Sequence, residues 1–280
     1  MSEMQPLVPA YALGYTPEGF QRLLVQGRLY RPFMRRLLEA AGLSAGMHVL
    51  DVGCGPGEVS LLAAELVGEL GIVIGVDRDE STIHIAQGRA QEAGLKNVSF
   101  LLGDLNEFTS TQSFDAVIGR CILIYLPQPA TVLRQLATRL RPGGVLAFQE
   151  YDLSSQSDAT LPACPLWEQT IHWGIQAFQR IGIECRIGMK LASTFREAGL
   201  PTPHLSYEAS ISASPEWEGY EVFAGSIRDV LPLIQQFGIA TAEDIEVETL
   251  AARLREEVAS AGGVARLPAL VSAWTRVGEA

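Results

Sequence analysis

The segment Val49-Leu50-Asp51-Val52-Gly53-Cys54-Gly55-Pro56-Gly57-Glu58 constrains the fold more than any other stretch of the chain. The apolar run Met47 to Val52 reads as a buried strand. Gly53, Gly55 and Gly57 follow within five residues, and Val59, Leu61, Leu62, Leu66 and Val67 then trace the apolar stripe of an amphipathic helix. An open α/β sheet builds a ligand cradle this way, at the carboxyl end of its first strand. Glycine lets the backbone turn tightly and admits a ligand where a Cβ would obstruct it. The spacing departs from the dinucleotide fingerprint Gly-x-Gly-x-x-Gly: the third glycine comes early and Glu58 takes its place. Pro56 removes a backbone donor that a diphosphate could have used. The turn therefore suits an adenosine ligand without phosphates better than a nicotinamide dinucleotide.

The 280 residues, 48% hydrophobic and 19% charged, describe a globular protein of one large domain or two small ones. A net charge of −11 argues against a nucleic-acid partner. No apolar run is long enough to span a bilayer, so no membrane partner is expected. Met1 to Pro9 lacks the charged and apolar regions of a signal peptide, and a cytoplasmic location is the expectation. Cys54, Cys121, Cys164 and Cys185 show no paired spacing and the four histidines are scattered, so no metal site is expected.

Taken in order, residues 1–42 read as an N-terminal helical lid. Tyr11 and Tyr15 precede a helix start at Thr16-Pro17, and a helix through Gln26 and Tyr30 restarts at Arg31-Pro32 and stops at Gly42. Residues 43–160 read as the cofactor-binding core. Its second strand, Gly71 to Asp77, ends in an acid 22 residues beyond Gly55. At that spacing a carboxylate receives ribose hydroxyls; Asp77 is equally placed to cap the helix that follows. The third strand, Asn97 to Leu102, leads into Gly103-Asp104-Leu105, where an acid on the same rim can accept from an adenine amine. Phe114 to Gly119 is the fourth strand, with Arg120-Cys121 at its end, and Val145 to Phe148 the fifth. Strands alternating with helices predict a mostly parallel sheet.

The motifs Val49 to Gly57, Gly75-Val76-Asp77, Gly103-Asp104-Leu105, Phe114 to Gly119 and Leu140-Arg141-Pro142-Gly143-Gly144 resemble, in order and spacing, those of the class I S-adenosylmethionine-dependent methyltransferases. The resemblance covers about residues 10 to 152 and is closest to the small-molecule type found in ubiquinone and menaquinone biosynthesis. It implies S-adenosylmethionine as cofactor and S-adenosylhomocysteine as product. Asp51, Gly53 and Gly55 would then line the methionine half, Asp77 the ribose, and Asp104 and Leu105 the adenine. Arg120 would face the methionine moiety or the methyl group. Cys54, Arg78 and Gly103 complete that set as chain neighbours, and Tyr15, Gln26 and Tyr30 would close over the cofactor. Gly-Arg-Cys at the end of strand four departs from the Asn/Asp-Pro-Pro-Tyr/Phe of enzymes that methylate bases or glutamine amides.

Residues 161–280 read as the substrate-side half, with cap helices at about 161–184 and 216–261. Trp167, Ile171, Gly174, Ile175 and Phe178 form one apolar stripe, and Glu168 and His172 an i, i+4 pair on another face. Thr202 to Ser212 and Pro268 to Val277 are the last strands. The fold expected is a Rossmann-like, doubly wound, seven-stranded, mostly parallel sheet with an N-terminal helical lid and a helical cap inserted before the last strand. An aromatic cap suggests an apolar small-molecule acceptor, and the cap helices could also support a homodimer. Glu150 and His172 are the candidate bases, needed only if the acceptor must lose a proton; Tyr151 and Asp152 share the rim with Glu150. A cyclase or decarboxylase on the same scaffold, or a non-catalytic binding module, would use the same cradle.

Overall fold

A computed structural model describes residues 16–105, 113–154 and 158–278. The helix α1 (Pro17–Ala40) opens the described chain; the Thr16 hydroxyl accepts from the Gly19 N–H at 3.0 Å and caps it. The strand β1 (His48–Val52), the helix α2 (Glu58–Val67), the strand β2 (Ile72–Asp77), the helix α3 (Glu80–Glu92) and the strand β3 (Val98–Leu102) follow. Then come β4 (Phe114–Arg120), a 3-10 turn at Leu123–Tyr125, α4 (Pro129–Ala137) and β5 (Leu140–Asp152). The second half runs β6 (Thr160–Leu161), α5 (Pro165–Arg180), α6 (Ile187–Glu197), β7 (His204–Glu208) and β8 (Ile211–Ser212). It continues with α7 (Gly219–Gln236), α8 (Ala242–Ile245), α9 (Val247–Ser260), β9 (Val264–Arg266) and β10 (Ala269–Arg276).

Seven strands form the main sheet in the order β3-β2-β1-β4-β5-β10-β7. The β1 to β5 pairs are parallel, and β10 runs antiparallel to both neighbours. Period-two alternation sends Leu50, Val117, Leu146 and Phe148 to the face covered by α4 and α6. It sends Val49, Ala116, Ile118, Val145 and Ala147 to the face covered by α1 and α2. The seven-stranded, mostly parallel, doubly wound arrangement expected from the sequence is the one found. Chain order reverses between β1 and β4, which opens a crevice at the carboxyl ends of the strands.

Three local features differ from the sequence reading. Residues 31–32 do not restart a helix: α1 runs unbroken over 24 residues with Pro32 inside it, its long face packed on the rest of the fold. The expected strand Thr202 to Ser212 divides, with β7 in the main sheet and β8 in a second sheet of order β6-β9-β8. The second cap helix likewise breaks at Glu246, whose backbone takes a positive φ between α8 and α9.

The cap has its own core, in which Trp167 of α5, Tyr220 and Phe223 of α7 and Leu254 of α9 are all buried. Glu257 of α9 fastens it: its two carboxylate oxygens accept the Leu166 and Trp167 N–H groups at 2.8 and 3.1 Å, at the N-terminus of α5. Tyr30 belongs to the same core, so α1 joins cap to sheet. A buried ion pair, Arg22 to Asp229 at 2.6 Å, ties α1 to α7.

Candidate active site

The glycine turn after β1 is drawn onto β2. The Gly53 and Cys54 N–H groups donate to the Val76 carbonyl at 2.9 and 3.1 Å, and the Gly55 N–H donates to Asp77 Oδ2 at 2.9 Å. Gly53 has φ +65°, and a Cβ there would meet Ile122 Cδ1 at 2.7 Å, so only glycine fits. Gly55 has φ +53° with no protein atom within 4 Å of a notional Cβ; its bare backbone forms cavity wall.

This turn borders a cavity of about 240 Å³ at the switch point between β1 and β4. The cavity is lined by Gln26 of α1, by Asp51, Gly53, Cys54 and Gly55, by Asp77 and Arg78, by Gly103, Asp104 and Leu105, and by Arg120. Eleven of the thirteen residues expected to hold a cofactor thus line one cavity. Tyr30 is fully buried one helical turn beyond Gln26 and lines the adjoining cavity instead. Tyr15 lies outside the described residues.

Asp51 is 1% exposed. Ser60, on the first turns of α2, donates its hydroxyl to Asp51 Oδ2 at 2.6 Å, while Oδ1 is buried without a protein partner. Burial pushes the Asp51 carboxyl up to about 7; the Ser60 hydrogen bond and the Arg120 charge oppose that rise, and the Asp77 charge adds to it. Arg120 has a buried Nη1, also without a hydrogen-bond partner. An orphaned acceptor and an orphaned donor on residues lining one cavity are complementary to the ammonium and carboxylate of a free amino acid. Asp77 accepts from Gly55 and, at 3.1 Å, from the Asp79 N–H, with acceptor capacity left for a hydroxyl. The helix cap that the sequence also allowed for Asp77 falls to Asp79, which accepts the Thr82 N–H at 2.8 Å. Asp51, Asp77 and Asp104 against Arg78 and Arg120 leave the lining net acidic, which favours a cationic ligand over a diphosphate.

Glu58 takes no part in that preference. It points out of the cavity, where Arg31 of α1 at 2.8 Å and Arg89 of α3 at 2.6 Å grip its two oxygens. Burial raises its carboxyl, but the two guanidiniums outweigh burial and hold it below the usual carboxylate range. Gly27 makes room for it, since a Cβ there would meet Glu58 Cγ at 2.9 Å.

Neither expected base is among the described residues that line this cavity or the smaller one beside it. Glu150 is fully buried and its carboxylate accepts three backbone N–H groups, from Ile122 at 2.9, Leu123 at 2.8 and Ile124 at 3.3 Å. Burial pushes its carboxyl up to about 7 against the pull of those donors. It anchors the 3-10 turn after β4 and so positions Ile122 and Tyr125. His172 sits on the solvent face of α5, paired with Gln176 one turn on rather than with Glu168. The i, i+4 spacing that suggested a partner faces outward because Trp167, Ile171 and Gly174 take the inner face.

A second cavity, about 90 Å³, adjoins the first; Gln26, Tyr125 and Tyr151 line both. Ile171, Gly174, Ile175 and Phe178 of α5 and Val222, Phe223, Ile227 and Val230 of α7 supply much of its apolar lining. The α5 stripe was visible in the sequence; the α7 residues and Tyr125 were not singled out, although the apolar spacing on α7 carried the signal.

A model of the methyltransferase-domain family matches residues 43–190. Aklanonic acid methyltransferase DauC of Streptomyces sp. (strain C5) is 37% identical over 138 residues, covering 49% of this chain and 62% of that protein. The ubiquinone biosynthesis O-methyltransferase of Coxiella burnetii is 35% identical over 135 residues, covering 48% of this chain and 55% of that protein. The chain thus spans less than two thirds of either relative's length. In fold, a SAM-dependent methyltransferase from Aquifex aeolicus aligns with a TM-score of 0.52 at 22% identity, over 69% of this chain and 91% of that one.

Proposed function

The chain belongs to the methyltransferase-domain family of class I, S-adenosylmethionine-dependent enzymes, and on that premise we propose that it transfers a methyl group from S-adenosylmethionine to a small acceptor with an apolar body. The observation that carries this reading is the pair of orphaned buried atoms, Asp51 Oδ1 and Arg120 Nη1, on two residues that line the acidic cavity with Asp77. Asp51 would hold the amino-acid ammonium, Arg120 the carboxylate, and Asp77 the ribose hydroxyls, with Asp104 and Leu105 at the adenine. When bound, the cofactor supplies an activated methyl on a sulfonium. The chain's own residues then supply position and exclusion of water. Ser60 and the Arg120 charge orient Asp51; Glu150 fixes the turn that carries Ile122 and Tyr125; α1 roofs both cavities through Gln26. The second cavity seats the acceptor, opening onto the first past Gln26, Tyr125 and Tyr151.

We place a single domain over the whole chain, because α1 packs on both sheet and cap. The four free cysteines suit a reducing, cytoplasmic compartment, and the net charge of −11 speaks against nucleic acid as acceptor. Among the described residues no helix is long and apolar enough to cross a membrane. A homodimer would be built on the edge strand β7, where Leu205 and Tyr207 are exposed, rather than on the cap helices, whose apolar faces pack inward. Incubation with S-adenosylmethionine and a panel of small phenols, acids and amines should release S-adenosylhomocysteine with one class. A cyclised or decarboxylated product formed without S-adenosylhomocysteine, or no S-adenosylhomocysteine with any class, would contradict the proposal.

A further inference from the structure

The wall shared by the two cavities has an unusual composition for a site that must handle a proton. Tyr151 lines both cavities and Tyr30 the second. Their phenols hydrogen-bond to one another, with the rings edge to face and centroids 5.9 Å apart. One hydroxyl donates to the other, which leaves a single O–H for a ligand. Burial raises both phenols well above their ordinary value, so they stay neutral donors and do not take up a proton near neutral pH.

The charged groups around this pair come from four elements. On α1, Arg22 donates to Gln26 Oε1 at 2.6 Å, and from α7 Asp229 holds Arg22 at 2.6 Å. At the end of β4, Arg120 offers a partnerless buried Nη1, beside the Cys121 thiol, which burial and the neighbouring Glu150 hold protonated. On β5, Glu150 gives its oxygens to three backbone N–H groups. Asp229 and Glu150 are therefore engaged, and the residues common to both cavities, Gln26, Tyr125 and Tyr151, present amide and hydroxyl groups. Among the described residues lining the second cavity there is no carboxylate and no imidazole. The rest of that cavity is aliphatic and aromatic. Its lone serine, Ser226, donates to the Val222 carbonyl at 2.8 Å, one turn back on its own helix.

We infer that the acceptor enters as an oxyanion, a carboxylate or an acidic enol or phenol, with its apolar body in the second cavity and its charged oxygen on the Tyr151–Tyr30 phenol pair, facing the methyl donor. The inference rests on the methyl-transfer reading above. A lone pair of the acceptor oxygen forms the new O–C bond as the sulfonium S–C bond breaks, and that bond's electron pair stays on sulfur. An anion and a cation give a neutral methyl ester or ether and a neutral thioether. No proton is released, so the absence of a base at the junction costs nothing. An aliphatic alcohol, which must lose a proton, fits this wall poorly. A cavity of about 90 Å³ is smaller than the ~150 Å³ engineered cavity that takes up benzene, which limits the enclosed part of the body to at most one ring or a short branched chain.

The test uses 4-nitrophenol, whose phenolate and phenol absorb at different wavelengths, with nitrobenzene as a neutral body of similar shape. Full-length protein is titrated with each probe across neutral pH, with and without S-adenosylhomocysteine. The bound dye should be phenolate, its ionisation shifted to lower pH. Tyr151→Phe should weaken phenolate binding about tenfold, as expected for one hydrogen bond to a charged group, while nitrobenzene binding stays within about twofold. Tyr30→Phe should weaken it less, because Tyr30 does not reach the first cavity. Uptake of the dye as neutral phenol, unchanged phenolate affinity in Tyr151→Phe, or binding of neither probe by protein that binds S-adenosylmethionine would overturn the inference. Failure to bind S-adenosylmethionine would instead contradict methyl transfer itself, and calorimetry on the same preparation separates the two.

Discussion

Asp51 and Arg120 are opposite charges lining one cavity, each with a buried atom that the protein leaves without a partner. Asp51 makes the site pH-sensitive. Its carboxyl lies at about 7 in the folded protein, against about 3.9 when unfolded. A raised carboxyl favours the neutral form, so its contribution to folding is complete below about pH 4 and is lost as pH rises through about 7. An ammonium on Oδ1 reverses the preference, since only the carboxylate can pair with it. The rise in melting temperature on adding S-adenosylmethionine should therefore be larger at pH 8 than at pH 6, and Asp51→Asn should abolish the difference; equal rises in the native protein would contradict the pairing. Asp77→Ala should weaken cofactor binding by about 10- to 100-fold, the loss of charged hydrogen bonds to two hydroxyls, and near-native affinity by calorimetry would remove Asp77 from the ribose site. That both residues line the cavity was legible, Asp77 from its distance beyond the glycine turn and Asp51 from its place in the motif. The outward turn of Glu58 was not legible, because its two arginine partners are 27 and 31 residues away in the chain.

The element that sets the site is the turn after β4. Four residues, from Cys121 to Ile124, carry the chain from the carboxyl end of β4 into the 3-10 turn, and Cys121 takes φ 53°, a strained value for a residue with a Cβ. Glu150 fixes it there by collecting three N–H groups on one buried carboxylate. Glu150→Gln replaces one acceptor with an NH2 facing those donors. It should lower stability by about 1–3 kcal/mol and weaken cofactor binding together with turnover. A loss of turnover alone, with stability and affinity kept, would restore Glu150 as a base. The sequence placed Glu150 correctly at the end of the fifth strand. It could not show which way the side chain turned, since the N–H groups that claim it lie 26 to 28 residues earlier.

Across the whole molecule, legibility follows the range of the forces. The parallel core was readable because period-two and 3.6-residue patterns are local, the first helix from its Thr16-Pro17 start, and α5 from its apolar stripe. The small sheet β6-β9-β8 was not, since strands of two and three residues carry no periodicity and pair across about 50 to 105 residues. The acceptor cavity was half readable. The α5 stripe announced one wall, but its meeting with α7 and with the Tyr30–Tyr151 pair depends on tertiary packing.

The most direct measurement is a calorimetric titration of the purified chain with S-adenosylmethionine, with NAD as control. One site of micromolar affinity for the first and no heat with the second is the predicted result. Binding of NAD, or of neither ligand, would contradict the assignment of the acidic cavity to a methyl-donor cofactor.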